Sequence, residues 1–233
     1  MAGRPEMNVR HFFAILATAL AYSGATCAAD VEAGSFGIFT NPTGPPAMVV
    51  SGIGSPIITW GEGLPTPSSL AFAGSTVSAP FNTDFRLGTL VETNGVTASG
   101  TQANGVQLDL TLGLTSPAFG NLALASALAL DNTTNIPGDP LGSADGVVLL
   151  TPLAATTFAV GTTTYTLQLV GFANASGPGL ASFSSTDLYV LENGSAQVDL
   201  MARITPVPEP ETYALMLAGL ATALFAFRHR KAS

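Results

Sequence analysis

The central part of this 233-residue sequence lacks histidine, lysine and cysteine. Both histidines, the one lysine and the one cysteine lie outside residues 30–205. Ser-His-Asp catalysis, Cys-His catalysis, Schiff-base chemistry and ordinary zinc sites each need one of these residue types. Paired carboxylates could still hydrolyse glycosides, but that requires a defined separation in space, which a sequence does not give. We therefore expect a protein that is not an enzyme.

Basic residues are almost as scarce as histidine in the same segment. Arg86 and Arg203 are its two bases against twelve Asp and Glu residues, which gives a net charge of −10. Such a surface repels phosphate backbones. We expect no nucleic-acid partner.

The first 29 residues have the three-part layout of a secretory signal peptide. Arg4 and Arg10 give a positive start, residues 12–21 are apolar, and residues 23–29 are small. The pattern predicts cleavage after Ala29. A short buried helix is the alternative, but small residues follow the apolar run where a polar helix face would be needed.

Two further alternatives concern the same segment. Met7 is a second candidate initiator beside Met1, since MNVRHFF also makes a positive start. Cys27 suggests a lipoprotein as an alternative, although Gly-Ala-Thr before it fits a leucine-led lipobox poorly. Cleavage after Ala29 removes this cysteine, so the exported protein would have no disulfide.

The pattern of residues 30–205 predicts one domain of short strands. Residues 106–114 alternate apolar and polar side chains over nine positions, and residues 164–172 and 196–205 do so too. Asn-Gly and other turn signals separate these runs. Residues 121–130 have helical propensity, but their leucines keep a period of two, which favours a strand. The pattern predicts an all-β antiparallel sandwich, similar to a jelly roll.

One loop of this domain concentrates possible metal ligands. Three carboxylates and two amides occur between residues 131 and 145, and calcium takes six to eight oxygen ligands. The spacing is not that of an EF-hand, and an Asn/Asp-rich turn is the alternative reading. The candidate calcium ligands, with no other cofactor expected, are Asp131, Asn132, Asn135, Asp139 and Asp145.

Trp60 is the only tryptophan, and it ends an apolar run. It reads as a core residue, with a sugar-stacking platform as the alternative.

The C-terminal segment, residues 206–233, differs sharply from the domain before it. Residues 205–210 form a stiff, extended spacer, and residues 213–227 are mostly apolar. The spacer contains the candidate sorting motif Val207, Pro208, Glu209 and Pro210. Fifteen residues make a helix of about 22 Å, which is short for the hydrocarbon core of a bilayer. The basic residues that follow would remain cytoplasmic. They are Arg228, His229, Arg230 and Lys231.

This order of Pro-Glu-Pro, short membrane helix and basic cluster resembles the PEP-CTERM sorting signal. The resemblance implies processing by an exosortase near Pro-Glu-Pro, in Gram-negative bacteria that make exopolysaccharide. It implies transient retention in the inner membrane, with Arg228, Arg230 and Lys231 as the retaining cluster. Glu211 stands where serine or threonine is more usual.

Residues 30–205 resemble the choice-of-anchor K domains, which are exported modules found with various anchoring tails. The similar stretches include residues 58–61, 68–72, 85–90, 130–135, 165–172 and 192–196. Glu92 replaces the histidine of a His-x-Asn element that such domains often have after the residue matching Leu90. The resemblance brings no catalytic residues.

We therefore expect an exported surface or extracellular-matrix protein, associated with exopolysaccharide or biofilm. The alternative is an extracellular module that binds glycan or calcium.

Overall fold

The structure is a computed structural model that describes residues 30–62, 66–207 and 215–222. The predicted signal peptide, the residues Pro208, Glu209 and Pro210, and the predicted basic cluster of Arg228, Arg230 and Lys231 lie outside the described residues.

The described part of residues 30–207 forms two antiparallel sheets of seven strands each. The strands are β1 (Asp30–Thr43), β2 (Val50–Ser51), β3 (Ile57–Trp60), β4 (Ser68–Gly74), β5 (Thr76–Pro80), β6 (Asp84–Thr93), β7 (Gly105–Ser116), β8 (Gly120–Asp131), β9 (Asp145–Leu149), β10 (Ala155–Val160), β11 (Thr163–Ser176), β12 (Leu180–Phe183), β13 (Asp187–Val190) and β14 (Ser195–Val207). Sheet A has the order β12-β13-β9-β8-β7-β1-β5, and sheet B has the order β10-β11-β14-β6-β4-β3-β2. The predicted all-β architecture is confirmed.

The alternating runs form long strands that face the core. In β7 the inward face carries Val106 and four leucines that are at most 4% exposed, and β8 buries Leu122, Leu124, Leu128 and Leu130 in the same way. The run at residues 121–130 is therefore a strand and not a helix. Alternation decided its structure because a strand with this pattern places every leucine on one face.

The two sheets come close together around Phe72. Phe72 of sheet B is 5% exposed, and Gly37 of β1 and Gly88 of β6 lie against its ring. A Cβ atom on Gly37 would lie 2.6 Å from the ring carbon Cδ1 of Phe72. Glycine at these positions leaves the volume that the phenylalanine ring occupies.

Besides the long runs, the sequence predicts shorter strands at residues 35–39, 57–60, 69–73, 85–92, 147–150 and 157–160, and each of these lies in an observed strand or overlaps one. Four strands, β2, β5, β12 and β13, have no counterpart in the sequence prediction. β2 has two residues, β12 and β13 have four each, and β5 ends at Pro80. Runs this short do not establish a period of two. They are ordered by pairing with neighbouring strands, as β5 pairs with β1 and β13 with β9.

The C-terminal strand continues beyond the predicted domain end at residue 205. Pro206 pairs with Tyr165, and Val207 pairs with Thr164 at the end of β14. Residues 215–222 are helical and exposed. This helix covers only part of the predicted span 213–227, and in the described part of the chain no helix has the length and apolar character needed to span a bilayer.

Candidate functional site

Polar side chains gather at one end of the sandwich, where three connections lie together. These are the β6–β7 connection, the loop at residues 132–144 that joins β8 to β9, and the turn at residues 191–194 that follows β13. Asn94 of the first connection donates its side-chain amide to Ser143 O at 3.1 Å and to Val190 O at 3.0 Å. One buried asparagine therefore fastens the three connections together.

The predicted calcium ligands lie around this end but do not form one shell. Asp131 ends β8, and Asp145 begins β9, where Asp131 pairs with Gly146. Asp145 shares the inward face with Val147 and is 4% exposed, whereas Asp131 points outward and accepts a hydrogen bond from Tyr189 Oη at 3.0 Å. Neighbouring register positions point to opposite faces of a sheet, which separates these two carboxylates.

Asp139 lies apart from both, at the exposed tip of the loop. Its Oδ1 accepts a hydrogen bond from Gly142 N, three residues further along the chain, at 2.8 Å, so this side chain stabilises the turn at the loop tip. Asn135 is half-buried between two clefts. Within the described ranges, no three His, Cys, Asp or Glu side chains form a group that could hold a metal ion. The structure thus does not bring the five predicted ligands together, and calcium binding stays a prediction.

Asn132 has a structural role in this loop. Its Oδ1 accepts a hydrogen bond from Trp60 Nε1 at 3.2 Å, and its Nδ2 donates to Ala103 O at 2.7 Å and to Leu130 O at 2.9 Å. Trp60 itself is 2% exposed, so it is a core residue as expected and has no face free to stack on a sugar.

Asp145 is held by the start of the same loop. Its Oδ1 accepts hydrogen bonds from Thr133 N at 2.7 Å and from Thr133 Oγ1 at 3.0 Å. Burial raises the pKa of the Asp145 carboxyl, and the hydrogen bonds from Thr133 oppose that increase.

Two buried polar side chains beside Asp145 were not among the predicted site residues. Glu92 ends the inward face of β6, Asn94 follows it, and each is 1% exposed. Burial raises the pKa of the Glu92 carboxyl well above its ordinary value, and the nearby charge of Asp145 raises it further. The signal that could have found them is their spacing, because Leu90, Glu92 and Asn94 lie two residues apart and so share one face of an extended chain.

Several oxygens of this region have no hydrogen-bond partner among the described residues. They are Glu92 Oε2, Asn94 Oδ1 and both carboxylate oxygens of Glu192. Burial and then the charge of Asp145 raise the pKa of Glu192 as well, so Asp145 lies within electrostatic reach of both glutamates. We call Glu92, Asn94, Asp145 and Glu192 the acceptor cluster.

Two clefts open at the surface of this end, and Asn135 lines both of them. The first, of about 320 Å³, is largely apolar and is lined by Val96, Ile136, Pro137, Pro140 and Glu192 among others. The second, of about 310 Å³, is lined by neutral polar side chains: Thr97, Ser99, Gln102, Asn132, Thr133, Thr134 and Asn135. Hydroxyl and amide groups of this kind suit a neutral, hydroxyl-rich ligand.

Comparison with known proteins identifies the C-terminal segment. The chain has no match among curated proteins. The family described as the PEP-CTERM protein-sorting motif matches residues 206–231, beginning at the second-to-last residue of β14. This chain therefore carries a PEP-CTERM sorting motif, which indicates an exported protein that an exosortase processes for display at the cell surface.

Proposed function

We propose that this chain is a non-enzymatic protein of the cell surface or extracellular matrix, associated with exopolysaccharide or biofilm. The sorting motif match at residues 206–231 carries this proposal. Residues 30–205 supply a rigid acidic sandwich without histidine, lysine or cysteine, which suits a structural role better than catalysis.

We also propose that this sandwich is a choice-of-anchor K type domain. Its support is the resemblance of residues 58–61, 68–72 and 85–90, which fall largely in β3, β4 and β6 of sheet B. Choice-of-anchor K domains are defined by their occurrence together with surface-anchoring tails. The sorting motif at the C-terminal end of this domain agrees with that definition.

Processing at Pro-Glu-Pro is the step to test first. The full chain, expressed in a Gram-negative host with an exosortase, is expected to yield a mature C-terminus near residues 208–212 in mass spectrometry. Glu209→Ala should leave unprocessed chain in the inner membrane, whereas Glu211→Ala, a neighbouring acid outside the Pro-Glu-Pro triplet, should be processed normally. Recovery of surface protein that still carries Arg228–Ser233 would contradict the proposal.

A second candidate function is glycan binding by the polar cleft. The observation that favours it is the lining of this cleft, which consists of hydroxyl and amide side chains and contains no charged residue. Such groups exchange hydrogen bonds with sugar hydroxyls at little desolvation cost compared with charged groups.

Co-sedimentation of the protein with the insoluble exopolysaccharide of its host tests this function. Thr134→Ala combined with Asn135→Ala should reduce the retained fraction. Thr157→Ala, on an exposed position of β10, serves as the control and should leave retention unchanged. Equal retention of both variants would argue against this cleft.

A further inference from the structure

The acceptor cluster contains buried oxygens and no base. Glu92 Oε2 and Asn94 Oδ1 belong to side chains that are 1% exposed, and neither has a partner among the described residues. Both carboxylate oxygens of Glu192 are unpartnered as well. Every unpartnered buried side-chain atom in the described part of the chain is thus an oxygen at this end of the sandwich.

These residues are close in space because the backbone around them is tied together. Asn94 N donates to Gly194 O at 3.1 Å, and its side-chain amide donates to Val190 O at 3.0 Å. Asn94 therefore contacts both ends of the 190–194 segment that carries Glu192. Glu92 lies two residues before Asn94 on the same inward face, and the buried Asp145 of sheet A lies within electrostatic reach of it.

Within the described residues, no positive side chain pairs with this cluster. Arg86 and Arg203 are the two bases of residues 30–205. Arg86 lies 3.9 Å from Asp199, and Arg203 lies 2.7 Å from Asp84, both at exposed positions. A buried carboxylate is costly unless it is protonated, paired or bound to a metal, and neither arginine of the domain pairs with this cluster.

We propose that the acceptor cluster binds one divalent cation, of which calcium is the best fit. Carboxylate and amide oxygens, with no nitrogen or sulfur donor, are the ligand set that calcium prefers. Glu92, Asn94 and Glu192 supply the ligands, and water completes the shell. Asp145 stays hydrogen-bonded to Thr133 and adds negative charge beside the ion.

This site differs from the loop site that the sequence predicts. It shares only Asp145 with the predicted ligands and leaves Asp131 and Asp139 outside. It takes two carboxylates and one amide as direct ligands, whereas no group of three His, Cys, Asp or Glu side chains that could hold a metal occurs in the described residues. The ion would join β6 of one sheet to the turn after β13 of the other.

Calcium binding by the full-length chain in detergent tests the site. Equilibrium dialysis against calcium should give one ion per chain, and calcium at about a hundred times the dissociation constant should raise Tm by roughly 5–10 °C. Glu92→Gln, which keeps the side-chain volume, should abolish both effects. Glu192→Gln, on a half-buried position, is a second variant should the first not fold.

Asp139→Asn is the matched control, because Asp139 belongs to the loop prediction and lies outside the cluster. It should bind calcium with unchanged stoichiometry and the same rise in Tm. The proposal is overturned if the native chain shows no bound calcium. It is also overturned if Asp139→Asn loses the ion while Glu92→Gln and Glu192→Gln retain it.

Discussion

The indole N–H of Trp60 donates a hydrogen bond to the side-chain oxygen of Asn132, 3.2 Å away. Trp60 ends β3 in sheet B, and Asn132 directly follows β8 in sheet A. This bond links the two sheets at the end where the polar connections lie. Since Trp60 is the only tryptophan, its fluorescence reports on this end of the molecule.

Asn132→Ala is expected to lower the free energy of unfolding by about 1–3 kcal/mol, because it leaves the indole N–H and two carbonyl oxygens without their partner. Denaturant titration followed by tryptophan emission measures the loss. Thr134→Ala, an exposed neighbour in the same loop, should change stability by less than about 0.5 kcal/mol. Equal stability of the two variants would show that the Trp60–Asn132 bond contributes little.

In calcium-free buffer, stability should fall as pH rises above the ordinary glutamate range. Burial, and then the charge of Asp145, raise the pKa of Glu92, so the folded chain holds this proton more tightly than the unfolded chain does. The stability that this difference in pKa contributes is fully present below the pKa of Glu92 in the unfolded chain. It is lost as pH rises through the pKa of Glu92 in the folded chain. The pKa values of Asp145 and Glu192 are raised too, which acts in the same direction.

Glu92→Gln should flatten this pH dependence, because glutamine has no proton to lose. It is therefore expected to be more stable than the native chain at about pH 8 in the presence of chelator. Unfolding midpoints measured across the pH range check this. The prediction would be contradicted if the stability of the native chain rose with pH over the same interval. It would also be contradicted if the variant's stability depended on pH as steeply as that of the native chain.

Gly88→Ala should destabilise the sandwich by about 1–3 kcal/mol, because the new methyl group meets the ring of Phe72 and the backbone oxygen of Ala73. Gly34→Ala is the control: Gly34 is also in a strand, and a Cβ there has no atom within 4 Å. Thermal unfolding of the two variants measures the difference. Equal melting temperatures would mean that Phe72 moves aside without cost.

Asn94→Ala is expected to cost about 2–4 kcal/mol, since it removes the donors to Ser143 O and Val190 O and leaves two buried carbonyls unpaired. Asn121→Ala, on an exposed position of β8, should be close to neutral. Hydrogen exchange should show faster opening of residues 190–194 in the first variant only. Unchanged protection there would show that other contacts hold the three connections.

The sequence by itself determined the strands with long alternating patterns and the sorting motif. Residues 106–114 and 121–130 commit every leucine to one face, so only a strand buries them all. The sorting motif is a linear signal, and residues 206–231 could be recognised without any fold. The single buried tryptophan also followed from its place at the end of an apolar run.

The tertiary structure decided which polar residues meet. The spacing of Asp131 and Asp145 suggested one shell, but consecutive register positions place their side chains on opposite faces of sheet A. Glu92 and Glu192 are 100 residues apart in the chain, and only the packing of β6 beside β14, with the turn after β13 against Asn94, brings them to one end. Short strands such as β13 were likewise fixed by their partners, because four residues carry too little periodicity to specify a pairing alone.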